Sequence, residues 1–400
     1  MSDILQIIEL FFLVLLGAQA AYSLVFALAS ILKHRRPKNP NPTELKSFTL
    51  LFPAYKEDAI ILNSARQALA LNYPAEKLRV IIGSDQMKDE TVAKLRAANI
   101  DVVVMNFDHS TKSKNLLAQV EHAKADFWPD YFIVMDADNK MPADTLMEIN
   151  KCLNDDFKVY QTHRTAKNDD TKMAVLDGIT EEISNSIFRK GHRNLGFSCS
   201  LIGSGMVFES TFLKEALEGI NKDSAVEDKL LEFYILGRKE KIAYLEDIYV
   251  YDEKVASGKN FSNQRKRWIA GQIHAFRSHI GPGIIKLLSG NVDFFDKTIQ
   301  MGLIPKLLFA FILAIAAGLS FFLQGSEYWY YLLAAYAFAL LISIPRWYYI
   351  VKNLALFIEI PKAIFFMLLA VLRIRKNQSI KQFEHTEKTF IEKEDWVIGA

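Results

Sequence analysis

Cysteine is nearly missing: Cys152 and Cys199 are the only two in 400 residues. Their spacing matches no metal-binding pattern, so they read as free thiols in a reducing compartment. An excess of charge of one sign is missing too, since 48 Lys and Arg stand against 46 Asp and Glu, a net charge of +2. A broad polycationic face, and nucleic-acid binding with it, has no support. No Gly-Xaa-Gly-Xaa-Xaa-Gly follows the first strand-like run and no P-loop lysine motif occurs. That disfavours dinucleotide oxidoreductases and P-loop nucleotidases. What is present is apolar side chain: 50% of residues are hydrophobic and 24% charged. The chain is too apolar for disorder and too charged to be made of membrane helices alone.

The apolar residues cluster. Leu10 to Leu32 is uncharged and exceeds the roughly 20 helical residues that a bilayer core requires. No basic residue precedes it and no small-residue cleavage site closes it, so it reads as a retained anchor within a segment 1–33. Lys33-His-Arg-Arg-Pro-Lys38 follows directly and places that end in the cytoplasm. Leu307 to Ser326 and Tyr328 to Pro345 are again uncharged. They are expected to form two spans within 303–350, joined by Gly325-Ser-Glu327. Leu354 to Leu372 is broken by Glu359, Pro361 and Lys362; segment 354–376 is therefore expected to lie as helices along the inner face. The expectation is three spans in the inner (plasma) membrane, multi-pass, with the body of the chain cytoplasmic.

Residues 46–260 carry an α/β pattern. Strands are expected at Phe48–Phe52, Leu78–Ile82, Asp101–Met105 and Ile133–Met135, with helices between them, which implies a mostly parallel sheet. Ligands then sit beyond the carboxyl ends of the strands, where Tyr55, Glu57, Asp85, Asp136 and Asp138 fall. The run Tyr131-Phe-Ile-Val-Met-Asp-Ala-Asp138 is the most informative. At strand spacing Asp136 and Asp138 face the same way, and Mg²⁺ or Mn²⁺ takes one or two carboxylates plus phosphate oxygens from a substrate. Two ordinary acids in a solvated loop would give the same triplet.

Taken in order, the motifs resemble membrane-bound, inverting family 2 glycosyltransferases of the GT-A fold, the group that includes cellulose, chitin and hyaluronan synthases. The resemblance runs from Phe52 to Lys388. Phe52-Pro-Ala-Tyr-Lys-Glu57 is similar to the loop that holds the nucleotide base, which implies donor contacts at Pro53, Tyr55 and Glu57. Asp85 corresponds to the aspartate that contacts uridine. Lys112-Ser-Lys-Asn115 resembles a Lys-Gly-Xaa-Ala segment, departing from it at Asn115, and implies Lys114 as a phosphate contact. Asp136-Ala-Asp138 corresponds to the metal motif, with Asp136 also at the nucleotide.

The resemblance implies an acceptor site at Gly203, Ser204 and Gly205, with Glu227, Gln264 and Trp268 beside it. Val226-Glu-Asp228 corresponds to the motif that supplies the general base, Asp228. Gln264-Arg-Lys-Arg-Trp268 fits the family's Gln-Xaa-Xaa-Arg-Trp without a departure and places Arg267 near the diphosphate. This motif falls in 261–300, expected as interfacial helices, and there its basic residues equally suit anionic lipid heads. Glu227 and Asp228 equally suit the first turn of a helix. In the tail, 377–400, Phe383-Glu-His-Thr-Glu-Lys388 partly resembles the gating loop of cellulose synthases, which implies Thr386 and Lys388 over the diphosphate; a charged tail of no particular structure is the alternative.

The implied activity is transfer of a sugar from a UDP-sugar to a growing polysaccharide or a lipid-linked glycan, at the membrane lipid surface. Two alternatives stand beside it: single addition to polyprenyl phosphate, and a catalytically dead structural or transport subunit. The donor sugar, a homo-oligomer and a separate export partner stay open.

Overall fold

The computed structural model describes residues 3–224, 226–255, 257–346, 348 and 356–374. Thr386 and Lys388, with the gating-loop resemblance, lie outside the described residues.

Strand-forming runs of β-branched and aromatic residues assemble into one sheet among the described residues. The strands are β1 (Phe48–Tyr55), β2 (Leu78–Asp85), β3 (Asp101–Met105), β4 (Tyr131–Val134), β5 (Val159–Ala166), β6 (Met206–Glu209) and β7 (Ile242–Asp252). Their order is β3-β2-β1-β4-β6-β5-β7. All neighbours pair parallel except β6, which runs antiparallel to β4 and β5. The sheet is therefore mixed and mostly parallel, as expected.

Alternation along β1 shows why the sheet is covered on both faces. Phe48, Leu50 and Phe52 pack with Val80 and Ile82 on one side, while Leu51 packs with Ile81, Phe132 and Val134 on the other. β1 continues through Pro53 to Tyr55, beyond its expected end at Phe52. Its pairing with β4 stops at Leu51, so Pro53 occupies a stretch where one side of the strand is open, and its missing N–H costs no ladder bond.

Outside the sheet, the helix Gly258–Leu288 begins at Ser257, whose hydroxyl caps Asn260 N–H at 3.3 Å. It lies over the helix Glu227–Gly237, with His279 stacked on Phe233 at 3.7 Å. The helix Leu356–Leu372 packs beside the start of Gly258–Leu288, where the Phe366 carbonyl accepts from Ser262 Oγ at 3.2 Å.

Among the described residues, two helices are long and apolar enough to cross a membrane by length and composition, Ile4–Ile31 and Lys306–Leu323. The expected third span is shorter: Tyr328–Ile342 has 15 residues, which at 1.5 Å per residue falls short of a hydrocarbon core of about 30 Å. Near its end Ser343 Oγ turns back to the Ala339 carbonyl at 2.7 Å, and Pro345 disfavours helical geometry at Ile344. The three-span expectation becomes two candidate spans and one short apolar helix.

The first apolar helix docks directly onto the sheet domain. The helix Lys172–Asn185 runs into a π-helical turn, Ser186–Gly191, and at Gly191 a Cβ would lie 2.1 Å from the Phe26 carbonyl oxygen. Only glycine permits that approach. His192 then stacks on Phe26 at 3.6 Å.

Candidate active site

At the carboxyl ends of β1, β2 and β4 lies a cleft of about 620 Å³. Pro53, Tyr55 and Glu57 from β1 and its following loop line one end, together with Asp85 at the close of β2. Asp85 is buried, and desolvation pushes its carboxyl up from the ordinary range, opposed by Ser110 and the Phe107 amide.

Asp136 and Asp138 also line the cleft, but through a turn rather than strand alternation. β4 ends at Val134, and the Asn139 N–H closes on the Asp136 carbonyl at 3.0 Å. The two carboxylates consequently differ. Asp136 is one-third exposed, whereas Asp138 is 1% exposed and its Oδ2 accepts the Glu253 N–H at 2.9 Å.

The centre of the site is Lys112, which sequence reasoning missed in favour of Lys114. Thr111 caps the helix Lys112–Asp126 through Lys114 N–H, and that register aims the two lysines apart. Lys112 Nζ pairs with Asp136, donates to the Gly203 carbonyl at 2.7 Å, and lies 3.9 Å from Glu227 Oε1. One ammonium thus joins the turn after β4, the segment before β6 and the start of the helix Glu227–Gly237. Burial disfavours its charge, but Asp136, Glu227 and Asp228 outweigh that and raise its pKa. Lys114, expected at the diphosphate, points away from the cleft: it pairs with exposed Asp223 at 2.7 Å and donates to the His109 carbonyl. The signal for Lys112 was available, because the first residue after a Thr cap starts the helix that follows β3.

Glu227 and Asp228 stand side by side yet differ in proton affinity. Burial pushes the Glu227 carboxyl up to about 7, with Asp228 adding to the rise and Lys112 opposing it. Burial also disfavours ionised Asp228, but Lys229, 3.0 Å away, overcomes this and holds Asp228 below its ordinary value. At neutral pH the pair therefore offers an ionised carboxylate next to one that exchanges its proton. Neighbouring acids with separated proton affinities are a common arrangement for acid–base work.

Gly203 lines the cleft; Ser204 and Gly205, grouped with it from the sequence, do not. Ser204 is fully buried beneath it, its carbonyl accepting from Gln161 Nε2 at 2.9 Å. Gly205 has φ +62°, and a Cβ there would lie 2.2 Å from Thr162 Oγ1. These two build the floor under Gly203.

Gln264, Arg267 and Trp268 close the cleft from the helix Gly258–Leu288. The Gln264 Oε1 is buried without a hydrogen-bond partner. Trp268 carries the Arg265 guanidinium over its ring at 4.4 Å, and Arg265 pairs with Asp177. A second missed residue is Arg164 on β5. It is buried, holds Glu181 through two bonds of 2.9 and 3.0 Å, and lies 3.8 Å from both Asp136 and Asp252. Strand β5 offered no motif to mark it.

A divalent ion finds a partial donor set here. Asp136 presents its carboxylate to the cleft and Asp138 lines the same wall, while among the described residues no group of three or more His, Cys, Asp or Glu could hold a metal alone. Two carboxylates fit an ion such as Mg²⁺ or Mn²⁺ when the remaining oxygens come from a diphosphate.

A mostly parallel sheet with a carboxyl-end cleft, an Asp-Xaa-Asp turn and a paired-acid helix start define a glycosyltransferase of GT-A architecture. The chain belongs to the family described as Glycosyltransferase like family 2, which matches residues 46–271. Among solved structures, a mannosyltransferase from Pyrobaculum calidifontis, in complex with GDP-mannose and Mn²⁺, shares the fold. It is 17% identical, covering 82% of this chain and 96% of that one, with a TM-score of 0.52. Glucosyl-3-phosphoglycerate synthase from Mycobacterium tuberculosis, with Mn²⁺, UDP and phosphoglyceric acid, is 14% identical over 60% of this chain and 84% of its own, at TM-score 0.41. TarS of S. aureus with UDP-GlcNAc is 12% identical over 83% and 92%, at TM-score 0.39. No curated protein matches the chain.

Proposed function

We propose that this enzyme is a membrane-anchored, inverting transferase that moves a sugar from a UDP-sugar to a glycan or lipid-linked acceptor. The observation that carries the reading is the convergence on Lys112 of Asp136, the Gly203 carbonyl and Glu227, with Asp228 adjacent. On this reading Asp136 serves the donor and Glu227 with Asp228 serves the acceptor, and the contacts of Lys112 with Asp136 and Glu227 support it.

Pro53, Tyr55, Glu57 and Asp85 bind the nucleoside. Asp136 and Asp138 would hold Mg²⁺ or Mn²⁺, which supplies positive charge to the leaving diphosphate when bound. Lys112 and Arg267 bring further positive charge to the same end. Gly203, Gln264 and Trp268 position the acceptor hydroxyl. Asp228 takes its proton as the oxygen bonds to the anomeric carbon, and the bond from that carbon to the phosphate oxygen breaks on the opposite face. One base suffices for such an inversion, and a base of this kind is typically worth about 10²–10⁴-fold.

Support for the anchoring comes from Ile4–Ile31 and Lys306–Leu323, with the basic run Lys33–Lys38 on the cytoplasmic side. The test is nucleotide release by the purified protein across a panel of UDP-sugars and GDP-mannose, with Mn²⁺. One UDP-sugar should turn over well above the rest. Release no faster than from Asp228→Asn for every donor would overturn the proposal.

A further inference from the structure

Behind Asp228 lies a row of alternating charges that no motif marks. The helix Glu227–Gly237 carries Lys229 and Glu232 one turn apart, and the helix Val292–Gly302 brings Lys297 against it. Lys229 engages both oxygens of Asp228. Its backbone N–H donates to Oδ1 at 2.8 Å, and its ammonium stands 3.0 Å from Oδ2. The same ammonium is 3.7 Å from Glu232 Oε2. Glu232 is 1% exposed, and its other oxygen, Oε1, meets the Lys297 ammonium at 2.5 Å. Lys297 is itself buried and donates to Ser200 Oγ at 3.0 Å. Among the described residues Glu232 Oε2 has no hydrogen-bond partner.

A buried carboxylate oxygen without a donor costs free energy, and the chemistry at Asp228 gives this one a use. With Lys229 on both of its oxygens, Asp228 is held in place but is a weak base, and one oxygen must be uncovered before it accepts a proton. The backbone N–H is fixed in the first turn of the helix, whereas the ammonium sits on a flexible stem. Once Asp228 is protonated its charge is gone, and Lys229 loses its nearest counter-ion. A charge stranded in this way is costly. Glu232 Oε2 lies within a short swing of the same ammonium and receives it.

We propose that Glu232 is a positioning residue for the transfer: it draws the Lys229 ammonium off Asp228 as the acceptor hydroxyl gives up its proton, and Lys297 holds it there to do so. The proton passes from the acceptor hydroxyl to Asp228. The acceptor oxygen bonds to the anomeric carbon, and the bond from that carbon to the phosphate oxygen breaks. Lys229 keeps its proton throughout and only changes partner. The inference rests on Asp228 being the base.

Turnover and UDP affinity of the detergent-purified full chain, measured with Mn²⁺ and the UDP-sugar that turns over best, provide the test. Glu232→Gln keeps the shape of the side chain and removes its charge. Turnover should fall about ten- to hundredfold, the scale of one charge-assisted contact, with UDP affinity unchanged. In an Asp228→Asn background the same change should cost nothing further, because the swing serves only the base. Glu232→Leu combined with Lys297→Met removes the buried pair together, so neither charge is stranded, and turnover should show the same loss. Wild-type turnover in Glu232→Gln, or an equal loss in both backgrounds, overturns the inference. Recovery of turnover in the double variant would show that Glu232 merely neutralises Lys297, and overturns it as well. High turnover in Asp228→Asn alone would instead strike the base assignment, so the two failures are told apart.

Discussion

Replacing Glu227 by Gln should change how stability depends on pH. In the folded chain burial pushes Glu227 up to about 7 from an ordinary 4.5. The folded state therefore holds a proton that the unfolded chain releases earlier. The stabilisation this provides is fully present below 4.5 and is lost as pH rises through about 7. At about 1.4 kcal/mol per pH unit, wild type should lose about 2–3 kcal/mol between roughly pH 5 and pH 8 from this group alone. Gln cannot ionise, so Glu227→Gln should lack that component. For a domain of this size 1 kcal/mol moves Tm by about 2–4 °C, so the gap between the two melting curves should change by about 5–10 °C over that range. Thermal melts of detergent-purified wild type and variant at about pH 5, 6, 7 and 8 provide the measurement. A constant gap at every pH would mean that Glu227 titrates near its ordinary value, and that the site does not separate its two acids.

Three further outcomes follow from the geometry. Asp228→Asn should bind UDP normally while turnover falls by about two to three orders of magnitude; more than about a tenth of the wild-type rate would move the base elsewhere, with Glu227 the next choice. Asp138→Ala should abolish turnover and the Mn²⁺-dependent part of UDP binding, read by calorimetry with and without the ion; metal-independent UDP binding of wild-type strength would refute the assignment. Lys112→Met removes a charge 3.9 Å from Glu227, an attraction of about 4 kcal/mol at an effective dielectric constant of 20. Its pH–rate profile should move to higher pH as Glu227 holds its proton more tightly, and an unshifted profile would show that Lys112 does not set the pair.

The parallel part of the sheet, β1 to β4, was legible because those strands are short apolar runs closed by polar turns, whereas β5, β6 and β7 were not expected from the sequence. The Asp-Xaa-Asp turn, the Glu-Asp pair and the Gln-Xaa-Xaa-Arg-Trp run were legible as residues, since each is contiguous. Whether they share a cleft was not, because Asp136, Gly203 and Glu227 are far apart along the chain and come together around Lys112 only in the folded protein. The choice between Lys112 and Lys114 depended on the helix cap at Thr111, which turns neighbouring lysines onto different faces. Two readings were decided by tertiary packing alone. Arg164 lies on a strand without a motif, and its burial against Glu181 exists only once β5 meets the helix Lys172–Asn185. Arg189 and Lys306 are ordinary basic residues in the sequence, and among the described residues neither has a carboxylate within ion-pair distance. Only the fold buries Arg189, half-buries Lys306 and assigns the nearby carboxylates to other partners, because ion pairing is settled by distances that residue order does not contain.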